Sequence, residues 1–180
     1  MAAESVLITG ASSGIGSELA RCFAGSGSDL VLVARREDRL RELGKELSSR
    51  YGVKTRVLPK DLNLPAAGLE IEEELRSAGI QVDVLVNNAG FGDLGAFAEL
   101  GIERQMKMVQ VNVNALTELT RRFLPAMLGR GRGGGLPARS ADERLLRHEG
   151  LCPPLLGRGR GRTAGHRRVH DLPLSRPHGN

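Results

Sequence analysis

The chain has no tryptophan, a single tyrosine (Tyr51), and two cysteines in 180 residues. Two cysteines, Cys22 and Cys152, make no disulfide framework and have no metal-ligand spacing, so a disulfide-stapled domain and a zinc module are excluded and no metal is expected. No apolar run approaches the roughly 18 residues of a membrane span. The first apolar run begins at Val6 without a basic segment before it, as a secretory leader would have. These absences predict a soluble, cytoplasmic protein with no membrane partner. Lysine is missing after Lys107, and residues 129–180 contain no Phe, Tyr or Trp.

The net charge of +5 is unevenly placed. Residues 1–128 carry 15 basic and 17 acidic side chains, whereas residues 129–180 carry 11 Arg and 4 acids. All four histidines lie in that second part. Basicity therefore belongs to the tail and not to the segment able to build a core.

That segment alternates two patterns. "SVLITG", "DLVLVAR", "VKTRVLPKD" and "QVDVLVNNAG" read as strands, the first as a continuous buried run and the third as a weaker one. Between them stand helical spacings, such as Ile15, Leu19, Cys22 and Phe23, or Leu40, Leu43 and Leu47. Residues 99–128 read as one long helix with Pro125 near its end. Alternating strands and helices predict βαβ units, hence an α/β, Rossmann-type, doubly wound parallel sheet with helices on both faces. The sheet is expected to stop after a fourth strand and this long helix.

"TGASSGIG" lies between the first strand and first helix. Gly10, Gly14 and Gly16 allow a sharp turn and close approach to a pyrophosphate. The N–H groups of Ile15 and Gly16 would face it, and Ser12 and Ser13 add hydroxyls. A glycine-rich turn without ligand is the simpler alternative, but the strand–turn–helix context favours the dinucleotide. At the end of the second strand, where an acid would accept from the ribose of NAD, the chain has Arg35 and Arg36. Two guanidiniums suit a 2′-phosphate, so NADP(H) is favoured over NAD(H). The alternative is that both are surface charges, with Glu37 or Asp38 turned to the ribose.

The set "TGASSGIG", "LVARRE", "KDLN", "NNAG" and "VNVNALTELTRRFLPAM" resembles the classical short-chain dehydrogenase/reductases over about residues 4–130. The resemblance implies that Gly10, Ser12, Gly14, Ile15 and Gly16 take the pyrophosphate and ribose, and Arg35 the 2′-phosphate. It further implies that Asp61 and Leu62 flank the adenine, and that Asn88, Ala89 and Gly90 lie along the cofactor, with Asn87 and Asn88 tying the sheet together. Asn112 matches an asparagine that holds a catalytic water in the family. Purely structural roles are the alternative, favoured for Asn87 and evenly balanced for Asn112. The implied activity is hydride transfer between NADP(H) and a small-molecule alcohol or carbonyl substrate.

Hydride transfer to a ketone needs a proton donor for the developing alkoxide. In the family this is a Tyr assisted by a Lys four residues later, with a Ser upstream. None is present after residue 130: Tyr51 is followed at the fourth position by Thr55. The chain as written is thus expected to be inactive, and a non-catalytic dinucleotide-binding module is the alternative function.

The tail, 129–180, holds 11 Gly and 5 Pro and is predicted to be disordered. Its Gly-Arg runs resemble phosphate-neutralising nucleic-acid segments, but those interleave aromatic residues and this one has none, which disfavours nucleic-acid binding. A shifted reading frame accounts for it better. "LLRHEGLCPPLLG" can be encoded so that dropping one base yields FYATKAYVLPFS, with the missing Tyr-x-x-x-Lys. His166 to His178 in the same phase can be read as TVVSTTCLCPGPT, resembling a family strand and Pro-Gly-Pro turn. The tail is therefore expected to be out of frame after roughly residue 130.

Overall fold

The computed structural model of the chain describes residues 3–132. Expectations for residues 133–180, including disorder, nucleic-acid binding and the frame shift, lie outside the described residues.

The elements follow one another as β1 (Ser5–Thr9), α1 (Gly14–Gly25), β2 (Asp29–Ala34), α2 (Glu37–Tyr51), β3 (Thr55–Pro59), α3 (Ala67–Ser77), β4 (Val84–Val86), α4 (Ile102–Val109), a π-helical turn (Gln110–Ala115) and α5 (Leu116–Arg132). The four strands pair in parallel in the order β3-β2-β1-β4. Register runs Ile8 to Leu32 on one side of β1 and Ile8 to Val86 on the other. β1 is central and its Val6, Leu7 and Ile8 are wholly buried, which is why it reads as a continuous apolar run without alternation.

Alternate residues of these strands supply two cores, as a period of two requires. Val6, Ile8, Leu30 and Leu32 pack with Phe23, Leu40 and Leu47 under α1 and α2. Leu7, Val31, Val33 and Leu58 pack with Ile71, Leu75, Leu119 and Phe123 under α3 and α5. At roughly 25 cal/mol per Å² of apolar area, each of these large side chains contributes about 1.5–3 kcal/mol. The expected Rossmann-type architecture is thus present through β4, where the sheet ends among the described residues.

Two details differ from the sequence reading. The long helix does not stop near Leu128; it continues through Pro125 to Arg132. Proline removes one N–H and frees the carbonyl four residues back, yet the flanking turns are held by Leu119 and Phe123 in the core. The helix is also interrupted by the π-helical turn, a widened turn that periodicity does not announce.

One side of the helix is uncovered. Ile102, Met106, Val109, Val113, Leu116, Leu124 and Leu128 are all exposed, recurring every three or four residues from Ile102 to Leu116 and, after a gap of eight, from Leu124 to Leu128. No described element packs on it. Among the described residues no helix is long and apolar enough to cross a membrane, and no cluster of metal-capable side chains converges.

Candidate functional site

The C-terminal ends of parallel strands, where connections diverge to opposite faces, leave a crevice. Here it opens over β1, between β2 and β4, as a cleft of about 390 Å³. Its floor is made by two residues that approach each other because neither has a side chain. A Cβ on Gly16 would lie 2.4 Å from the Gly10 carbonyl oxygen and 2.5 Å from Asn88 Nδ2. One on Gly10, whose φ is +69°, would meet Ala89 Cα at 2.9 Å. The turn is therefore packed down onto the β4 end, and the surface above is free for a ligand.

α1 begins at Gly14, and its N-cap Ser13 makes no side-chain cap bond. The first-turn N–H groups thus keep their capacity to bind an anion, aided by the helix dipole. Ile15, on the same turn, leaves an isoleucine 67% exposed at the mouth of the cleft.

Thr9 anchors the other wall. Its hydroxyl donates to Val86 O at 3.3 Å and accepts the N–H groups of Asn88 and Ala89, both at 3.0 Å. Asn88 Nδ2 donates in turn to Thr9 O at 2.9 Å. Asn88 ties β4 to β1 as expected. Asn87 does not: its Nδ2 donates to Thr120 Oγ1 on α5 at 2.9 Å, and its buried Oδ1 has no partner among the described residues.

At the β2 end, Arg35 and Arg36 both face the cleft. Arg36 reaches across it, its guanidinium donating to Ser13 Oγ at 2.6 Å and to Ser12 Oγ at 3.2 Å. The two serine hydroxyls thus sit with a cation in an otherwise exposed corner. Asp61, just after β3, closes the cleft on this same side. Its Oδ1 accepts from the backbone N–H and Nδ2 of Asn63 at 3.0 and 2.8 Å, which fixes the turn after β3. Lys60 also lines the cleft but is turned to α3, where hydrogen bonds to Glu70 and then Glu74, at 2.8 and 2.6 Å, hold its pKa above the ordinary value.

Gly10, Ser12, Ser13, Ile15, Arg35, Arg36, Asp61, Leu62, Asn88, Ala89 and Gly90 come together around this one cleft. Gly14 and Gly16 shape the turn beneath it. Asn112 stands behind the wall: its Oδ1 accepts the Phe91 N–H at 3.1 Å and its Nδ2 donates to Phe91 O at 2.9 Å. Ala34, Lys60, Asn63, Phe91 and Val111 also line the cleft and were not singled out in the sequence. Each is adjacent to a residue that was, so only neighbourhood signals them. Tyr51 lies elsewhere, at the end of α2 beside Gly25.

A sequence model described as short chain dehydrogenase matches residues 4–136. The chain belongs to this family. Among its relatives, sulfoacetaldehyde reductase 2 of Chromohalobacter salexigens is 39% identical over 132 residues, which are 73% of this chain and 52% of that protein. The Bos taurus dehydrogenase/reductase SDR family member 7B is 37% identical over 133 residues, 71% of this chain and 41% of that one. Of solved structures, a short-chain dehydrogenase from Sphingobium yanoikuyae in complex with NADPH superposes with a TM-score of 0.66 at 40% identity, covering 71% of this chain and 50% of that one. L-Sorbose reductase from Gluconobacter frateurii, complexed with NADPH and L-sorbose, gives 0.68 at 36% identity, covering 73% and 50%. This short-chain dehydrogenase chain spans about half the length of the relatives it matches.

Proposed function

We propose that the described domain is the cofactor-binding half of a short-chain oxidoreductase and that it binds NADP(H) in preference to NAD(H). The observation that carries this is the pairing of Arg36 with Ser12 and Ser13 at the mouth of a glycine-floored cleft. A 2′-phosphate placed there would accept charge-assisted hydrogen bonds from a fork and two hydroxyls, with Arg35 beside it. The pyrophosphate would lie on the uncapped first turn of α1. Asp61 and Leu62 would border the adenine, and Asn88, Ala89 and Gly90 the remainder. NADPH in the two solved relatives supports the same choice.

A bound nicotinamide supplies or accepts the hydride in alcohol–carbonyl interconversion. The chain's own contribution is orientation, and its general acid is missing. Tyr51 is the only tyrosine and packs against Gly25 at the opposite end of the helices from the cleft. No lysine follows Lys107. The chain as written therefore binds cofactor without turnover, and the reductase activity belongs to a protein whose Tyr-x-x-x-Lys is in frame. Calorimetric titration of the full chain with NADPH and NADH tests this, together with a ketone-reduction assay. Tighter binding of NADPH with no turnover supports the reading. Equal affinity for both cofactors, or steady reduction of a ketone, refutes it.

A further inference from the structure

The connection from β4 to α4, residues 87–101, forms neither strand nor helix, yet side chains from the helix that follows hold it at several points. Gln105 Nε2 donates to Phe97 O at 2.9 Å. Asn112 occupies both backbone polar groups of Phe91. Arg104 makes an ion pair with Asp93 and places its guanidinium carbon 5.9 Å from the centre of the Phe91 ring. Phe91 is a wall of the cleft, at the end formed by β4.

We propose that Arg104 is a positioning residue for the half of the dinucleotide remote from the 2′-phosphate. It acts through Asp93 and the face of Phe91, holding the Gly90–Phe91 wall at the spacing the second nucleoside requires. The proposal rests on the cofactor reading above. Its logic is the strand order. Arg35 and Arg36 stand at the end of β2, and Phe91 beyond the end of β4, with β1 between them. A ligand anchored by its 2′-phosphate at β2 reaches Phe91 only with its other end. The partners of Arg104, Asp93 and Phe91, both lie beyond the end of β4 and away from the glycine turn and the arginine corner, so its loss moves one end of the cleft and spares the other.

An exposed ion pair and a cation over a ring are each modest interactions. Here one guanidinium makes both, to Asp93 and to the Phe91 ring, and Asn112 already fixes the Phe91 backbone, so the ring is the remaining freedom. Loss of Arg104 is expected to weaken binding about three- to tenfold, the range such contacts carry.

The test is calorimetry on the full chain with two probes, NADPH and adenosine 2′,5′-bisphosphate, which has the phosphorylated adenosine end alone. Arg104→Gln and Asp93→Asn are each expected to weaken NADPH by that factor and leave the bisphosphate unchanged. The double variant should be no weaker than Arg104→Gln alone, because that substitution already breaks the ion pair with Asp93. Arg104→Lys should recover part of the loss, keeping the cation without the planar fork. Equal weakening of both probes overturns the proposal, since the residue would then act on the fold as a whole. NADPH affinity unchanged in both single variants also overturns it. A wild-type chain that binds neither probe overturns the cofactor reading, and the proposal with it.

Discussion

The side-chain amide of Asn88 donates to the carbonyl of Thr9 at 2.9 Å while the Thr9 hydroxyl accepts the N–H of Asn88 at 3.0 Å, a reciprocal pair that locks the end of β4 to the end of β1. Thr9 is buried, so its oxygen takes the place that water would have at a strand end. Thr9→Val keeps the shape and removes the acceptor of the Ala89 N–H, while the Asn88 N–H keeps only the Val86 carbonyl at 3.1 Å. Unfolding free energy should fall by about 1–3 kcal/mol, the cost of an orphaned donor. Denaturant titration measures it, and Thr9→Ser, which retains the hydroxyl, should lose less.

Gly16 admits no side chain. Even one methyl would lie 2.4 Å from the Gly10 carbonyl, a backbone atom that cannot step aside as a flexible side chain would. Gly16→Ala should cost about 1–3 kcal/mol from overpacking and should lift the phosphate turn away from β4. NADPH affinity is expected to fall together with the melting temperature. Gly14→Ala differs: nothing lies within 4 Å of its Cβ, and only the backbone strain of φ +59° opposes it.

Much of this was legible in the sequence, for identifiable reasons. β1 and β2 are buried on both faces, so their apolar runs are unbroken, and "TGASSGIG" is a local motif whose glycines are needed within a few residues of one another. What depended on distant pairing was not legible. The π-helical turn leaves helical periodicity nearly intact, yet it sets Asn112 against Phe91, 21 residues away. Asn87 shares its motif with Asn88 but belongs to Thr120, because neighbouring residues of an extended segment point to opposite sides. Lys60 stands at the cleft but answers to Glu70 and Glu74, a choice made by α3 packing and invisible from "PKDLN".

The Arg21 guanidinium holds Glu46 through a two-pronged contact, Nε to Oε1 and Nη2 to Oε2, both 2.9 Å, and links α1 to α2. This hydrogen bonding, ahead of simple charge attraction, lowers the Glu46 pKa below its ordinary 4.5. A carboxyl with a depressed folded pKa stabilises the fold above the unfolded value, and that stabilisation is lost as pH falls through the folded one. Wild-type and Glu46→Gln should therefore differ in stability at pH 6 and converge as the pH falls below the ordinary 4.5 and through the lowered folded pKa. The pair is partly exposed, so solvent screening makes the difference small. Chemical denaturation of both proteins across that range checks it, and a gap that widens on acidification refutes it.

The exposed apolar run from Ile102 to Leu128 is larger than scattered surface apolar residues, since seven large side chains of consecutive helical elements contribute to it. The domain should bind a hydrophobic dye such as ANS in its native state, without the loss of cooperativity that marks a molten form. Val109→Lys and Val113→Lys interrupt the run at positions 44% and 52% exposed, where neither removes a core contact. Both should reduce dye fluorescence while leaving the unfolding free energy within about 0.5 kcal/mol of wild type. Unchanged fluorescence in both variants would place the dye elsewhere.

Cofactor discrimination should reside in Arg36 more than in the glycine turn. Its fork lies on Ser12 and Ser13 without a competing carboxylate, so all that has to be exchanged when a phosphate arrives is three hydrogen bonds to two uncharged hydroxyls. Arg36→Ala is expected to weaken NADPH about 10- to 100-fold, the span of one or two charge-assisted hydrogen bonds. NADH has no 2′-phosphate and should bind the variant about as well as it binds wild type. Raising salt should weaken NADPH more than NADH in the wild type, because this corner is open to solvent, and should lose that distinction in the variant. Parallel titrations at two ionic strengths read both effects. A variant that loses NADH affinity equally would show that Arg36 supports the turn, and would return the 2′-phosphate to Arg35.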